Sequence, residues 1–154
     1  MNATTIKCRA LMVGDWCCDQ HGFPMQITTV GNDYAYATFE GNEGDPWEFD
    51  DKDDQPQPIE ITRELLEANG WRTESFTASP WDGSAQTYYF VKDESDIHLE
   101  FAYDTLTICF NYENGIDAVS GVSADIMIPI QYVHQLQQVL RLAGMTELAN
   151  NFKV

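Results

Sequence analysis

From Ile97 to Tyr112 the chain runs IHLEFAYDTLTICFNY, and no other stretch restricts its fold so tightly. Ile97, Leu99, Phe101 and Tyr103 alternate with His98, Glu100 and Ala102, and Leu106, Ile108, Phe110 and Tyr112 alternate with Thr107, Cys109 and Asn111. Successive side chains of a strand point to opposite faces, so each half carries one apolar row. A tight turn at Asp104-Thr105 would join the halves as an antiparallel hairpin, with Leu99 opposite Phe110 and Phe101 opposite Ile108. One face is then uniformly apolar and has to be covered, because a lone hairpin is marginal in water. That demand sets the expected fold class as α+β.

The cover is sought at the end of the chain. In QYVHQLQQVLRLAGMTELANNF, Val133, Leu136, Val139, Leu140 and Ala143 recur at helical spacing and form one apolar stripe. Gly144 is a stop, and Thr146 is a candidate cap for a last short turn that returns Leu148 and Phe152 to the body. The expectation is an antiparallel sheet covered by this C-terminal helix. WRTESFT and QTYYFVK read as further strands, and VSADIMIPI as an edge strand, since Pro129 cannot donate to a ladder. PIEITRELLEANGW reads as a short helix with Thr62 as N-cap and Asn69-Gly70 as its stop.

Residues 7–40 read as three short strands: LMVGDWCC, PMQITTV and DYAYATFE. Gly31-Asn32 predicts a two-residue hairpin turn with Gly31 at positive φ. Tyr34 and Tyr36 share one face of the third strand, and Ala35, Ala37 and Phe39 the other. Short strands with tight turns suggest part of a small SH3-like β-barrel. Next comes EGNEGDPWEFDDKDDQPQP, residues 40–58, in which Gly41, Gly44, Pro46, Pro56 and Pro58 interrupt any regular element. Its acids repel one another, and such a composition buries too little apolar surface to offset its ordering entropy. The expected organisation is therefore an SH3-like strand module over 1–40, an acidic solvated linker over 41–58 pinned only by Trp47 and Phe49, and an α+β body over 59–154.

Charge narrows the partners. The chain has 8 Lys and Arg against 25 Asp and Glu, a formal net charge of −17. Direct binding to nucleic-acid phosphate or to an anionic membrane depends on basic side chains, so neither is expected. No apolar run reaches the roughly 20 residues of a spanning helix, and no secretory pattern precedes MVGDW, so a cytoplasmic location is the expectation. In that reducing compartment the four cysteines are expected as free thiols.

Three segments carry a likeness. The L-x-V-G-D-W start at Leu11–Trp16, the P-I-x-x-T-x-E-x-L-x-x-N-G-aromatic segment at Pro58–Trp71, and the Y-V-H-Q-L-Q element at Tyr132–Gln137 follow in that order. Together they resemble a family of uncharacterised proteins from gut anaerobic bacteria and their prophages or mobile elements. The resemblance implies an accessory role and carries over no catalytic residue or cofactor.

The remaining constellations are weak. Cys8, Cys17, Cys18 and His21 form one loose cluster without the paired ligand spacing of structural zinc. Counted from Asp51, DDKDD puts Pro56 where a calcium loop needs Gly and Thr62 where it needs Glu. No metal and no cofactor is expected. Catalysis has weak candidates in Cys109, His98 and Glu100: the expected hairpin sets Glu100 opposite Cys109 with His98 diagonal. Binding candidates are Trp81 in the ASPWDGS loop, Trp47 in the acidic stretch and His134 on the flank of the last helix. Trp47, Trp71 and Trp81 could also serve as sugar platforms beside paired acids. The leading function is a non-catalytic protein–protein interaction module. The alternative is an acidic mimic of DNA that occupies a nucleic-acid enzyme. A small cysteine-dependent enzyme is third.

Overall fold

The computed structural model describes residues 4–77, 86–91, 97–102, 105–111 and 125–154. The chain forms two compact units, Met1–Ile61 joined by Tyr132–Val154, and Thr62–Gln131. The second unit is thus inserted into the first. This partition replaces the expected boundaries at 40 and 58.

The first unit opens with a 3-10 turn, Cys8–Ala10, followed by β1 (Trp16–Cys18), β2 (Pro24–Val30), β3 (Tyr34–Thr38) and β4 (Trp47–Asp50). These four strands pair in sequence order as an antiparallel meander. Period-two alternation sorts their side chains: Met25 and Ile27 of β2, Ala35 and Ala37 of β3, and Phe49 of β4 are buried together with Ile6, Cys8, Leu11 and Cys17. Among the described residues the sheet does not close into a barrel.

The β2–β3 turn corrects the sequence reading. The Gly31 N–H donates to the Tyr34 carbonyl at 2.8 Å, so the turn falls on Asn32-Asp33. Gly31 is needed for room and not for φ, since a Cβ there would lie 2.2 Å from the Tyr34 ring.

The expected linker is part of the sheet. β4 lies within residues 41–58 and pairs with β3 through Ala35↔Phe49 and Ala37↔Trp47. Past β4, the Asp50 N–H donates to the Asp54 carbonyl at 3.0 Å and the Asp51 N–H to the Asp33 carbonyl at 3.0 Å. The Ile6 N–H reaches the Pro56 carbonyl at 2.8 Å, and Cys18 and Gln57 exchange two backbone bonds of 2.9 Å. The carboxylates help order the turn. Asp50 Oδ1 accepts from the Lys52 and Asp53 N–H groups at 2.8 and 2.6 Å, and Asp51 Oδ1 from the Cys8 N–H at 2.8 Å. Solvated like charges 4 Å apart repel by only about 1 kcal/mol in water. Burying a phenylalanine contributes about 1.5–3 kcal/mol, so order wins.

The chain returns to this unit at Tyr132. Glu60 and Tyr132 form an isolated antiparallel bridge, and the Val133 N–H donates to the Ile59 carbonyl at 2.9 Å. Helix α2 (Val133–Leu142) buries Val133, Leu136 and Leu140 of the expected stripe, while Val139 is half-buried and Ala143, past the helix end, is exposed. The Gln135 side chain accepts from the Tyr132 N–H at 3.0 Å, and Gly144 at φ 83° ends the helix. A short helix, α3 (Thr146–Asn150), follows; Thr146 is its first residue and not its cap. The C-terminal helix, expected over the hairpin sheet, belongs to the first unit instead. An apolar stripe demands burial without naming the surface. Here the polar residues beside the stripe make the choice, as described below.

In the second unit α1 (Arg63–Ala68) has Thr62 as its cap, with Thr62 Oγ1 accepting from the Leu65 N–H at 3.1 Å, and Gly70 at φ 83° stops it. Then β5 (Arg72–Thr77), β6 (Gln86–Val91), β7 (Ile97–Ala102), β8 (Thr105–Asn111) and β9 (Asp125–Ile130) form a second antiparallel meander in sequence order. β9 is an edge strand, as Pro129 required. The β7–β8 register is Leu99↔Ile108, Phe101↔Leu106 and Ala102↔Thr105, two residues away from the expected pairing. An even slip preserves the faces, and Leu99 and Ile108 meet as fully buried partners.

Candidate functional site: a carboxylate-rimmed aromatic sheet face

The outer face of the four-stranded sheet carries the exposed chemistry of the first unit. Tyr34 and Tyr36 project from β3 opposite Asp50 and Glu48 of β4, and Tyr36 is flanked on its other side by Thr29 of β2. The two rings meet edge to face with centroids 5.7 Å apart at 65°. Tyr34, 39% exposed, lies over the space that Gly31 leaves open. Glu48 is exposed, while Asp50 is held in the turn. The backbone N–H groups of Asp53 and Lys52 hold the Asp50 carboxyl below its ordinary range, so it stays ionised. The Cys8 N–H does the same for Asp51. Hydrogen bonds to a charged form favour that form.

Behind this sheet a buried polar clasp fastens α2. Asp15, fully buried, accepts from the Met12 N–H at 2.8 Å and from Gln138 Nε2 at 2.7 Å, and pairs with Arg141 Nη1. Gln138 Nε2 also donates to the Ala10 carbonyl at 2.9 Å. Gln137 accepts from the Trp16 N–H at 2.9 Å and donates to the Gly14 and Ala149 carbonyls at 2.8 and 3.0 Å. The Trp16 indole N–H donates to the Phe152 carbonyl at 2.7 Å. A Cβ at Gly14 would lie 2.9 Å from Arg141 Nη2, and its φ of 94° favours glycine as well. The G-D-W start and the Q-L-Q element therefore meet in space. These are the polar groups that direct α2 to the first unit. No family model, curated protein or solved structure matches this chain.

The sequence candidates fare differently. Trp47 is 41% exposed on the margin of the core face; its indole N–H donates to Asp54 Oδ2 at 3.0 Å, which ties down the acidic turn. His134 is buried, stacked on Tyr132 with centroids 6.0 Å apart, and its Nδ1 has no hydrogen-bond partner among the described residues. Burial lowers its pKa, and the charge of Asp15 opposes that shift. The binding candidate on the helix flank is thus a buried side chain. Trp81 lies outside the described residues. Trp71 is buried and offers no sugar platform. In the sheet register His98 stands opposite Cys109 and Glu100 opposite Thr107, so Glu100, expected across from Cys109, is displaced by His98.

The N-terminal thiols are sealed. Burial, reinforced by Asp51, pushes the Cys8 thiol up to about 12. Burial also raises Cys17, and raises Cys18 with help from Asp19. Among the described residues no group of three His, Cys, Asp or Glu could hold a metal ion. No helix among them is long and apolar enough to cross a membrane. Residue reading missed the clasp and the paired role of Tyr34, Tyr36 and Glu48. The shared face of the tyrosines was visible in the alternation; their carboxylate neighbours were not, because β4 was read as linker.

Proposed function

We propose that this chain is a non-catalytic protein-binding module, an accessory protein of the bacterial and mobile-element kind that its three signature segments resemble. Its four-stranded unit would serve as an SH3-like platform. The observation that carries this reading is the tyrosine pair, Tyr34 exposed and Tyr36 half-buried, on a sheet whose opposite face is a packed core. Aromatic side chains supply much of the energy of protein interfaces at low entropic cost. The sealed thiols of Cys8, Cys17 and Cys18 agree with a surface that binds and does not react. The test is affinity capture at moderate salt from a native bacterial extract, comparing the wild-type chain with a Tyr34→Thr/Tyr36→Thr variant. A partner held by the first and lost by the second is expected. Equal retention on both would remove the assignment.

One observation favours the DNA-mimic reading as a second. Glu48, Asp50 and Asp51 sit on a strand and an ordered turn, where fixed rows of negative charge can form. A mimic binds a DNA-processing enzyme with an affinity that collapses as salt rises and that duplex DNA competes away.

A further inference from the structure

We infer that the outer sheet face receives an extended peptide bearing arginine at alternate positions, an inference that rests on the protein-binding reading above. Tyr34 and Tyr36 lie two residues apart on one strand, so their backbone positions repeat at about 6.8 Å, and their ring centroids stand 5.7 Å apart. An extended peptide running along β3 presents every second side chain at the same interval. A planar guanidinium stacks on an aromatic face and keeps its charge at any working pH. Beside the tyrosine row, Glu48 stands directly across from Tyr36 and leaves its carboxylate in solvent. Asp50 stands across from Tyr34, its ionised form favoured by the turn that holds it.

Charge complementarity selects the occupant. Lys52 is the one basic residue between Gly31 and Pro58, a stretch otherwise crowded with acids. The carboxylates flank the rings along one side. A cation stacked on Tyr36 has the exposed Glu48 across from it, and one on Tyr34 has the turn-bound carboxylate of Asp50; an anionic or purely apolar segment would leave Glu48 uncompensated. Lysine satisfies the charge without the planar stack, so arginine is preferred. Residues directly adjacent in a peptide point to opposite sides, so the alternate spacing matters as much as the charge.

The probes are three labelled heptapeptides, Gly-Arg-Gly-Arg-Gly-Arg-Gly, its lysine counterpart, and an isomer with the three arginines consecutive. Binding to the full chain is followed by fluorescence anisotropy at physiological salt. The alternate-arginine peptide is expected to bind about fivefold or more tighter than the other two, the size of one or two exposed cation–π contacts. Tyr34→Thr/Tyr36→Thr should abolish that preference, and Glu48→Gln should weaken it severalfold, both with an unchanged circular-dichroism melt. Equal affinity for all three peptides, or a preference that survives loss of both tyrosines, would reduce the effect to bulk charge attraction and overturn the inference. If no peptide binds while the tyrosine-dependent partner is still captured from extract, the inference fails alone and the protein-binding reading stands.

Discussion

Replacing Phe49 by alanine tests whether the acidic stretch is structural. Phe49 is fully buried on β4, packed with Met25, Ile27, Ala35 and Ala37. Truncating a buried phenylalanine costs about 3–5 kcal/mol, transfer and cavity terms together. Ala35, directly opposite, is too small to fill the space, which favours the upper part of that range. Whole-domain stabilities are about 5–15 kcal/mol, so the loss is a large share of the total. Urea unfolding followed by tryptophan fluorescence reads it, because Trp16 and Trp47 both lie in the first unit. Trp47→Ala is the control: a side chain already 41% exposed should cost about 1 kcal/mol. Deleting residues 50–56 should prevent a cooperative transition, since it removes the Asp51 contact to Cys8 and the Pro56 contact to Ile6. A Phe49→Ala loss below about 1 kcal/mol, with unfolding still cooperative, would show that the segment is a solvated strap after all.

The other predictions concern buried polar groups. Asp15→Leu and Arg141→Leu should each destabilise by about 3–5 kcal/mol, while the double substitution costs less than either, because no lone charge stays buried; a denaturation cycle showing simple additivity would refute the clasp. His134 has a pKa lowered by burial below its usual 6.5, so the unfolded chain binds its proton first. Stability should therefore fall as pH drops below about 6.5, by at most about 1.4 kcal/mol per pH unit, and His134→Phe should flatten the profile between pH 6.5 and 5. Iodoacetamide at pH 8 should label Cys8, Cys17 and Cys18 only after unfolding, as peptide mass mapping would show; rapid native labelling of any of them contradicts their burial and raised pKa.

Local signals in the sequence translated into structure where one residue type answers one backbone need. Thr62 capped α1, Gly70 and Gly144 ended helices, Pro129 marked an edge, and the alternation at 97–111 became β7 and β8. What depended on distant partners did not. The stripe of α2 required a cover without choosing one, and the choice was made by Asp15, over a hundred residues away. β4 was hidden because its acids suggested solvation, although its one phenylalanine and its bonds to β3 outweigh their repulsion. The tyrosine face was half legible: period two put Tyr34 and Tyr36 together, but Glu48 joins them only through a strand pairing that composition argued against.

The bridge between Glu60 and Tyr132 has a mechanical consequence. Both ends of the chain belong to the first unit, and the chain leaves it after Ile61 and re-enters it at Tyr132, beside that bridge. Tension applied between the termini is carried first by β1, α2 and the Asp15–Arg141 clasp. Under a steady pull the molecule should lengthen in two strokes, the second releasing the slack stored between Thr62 and Gln131.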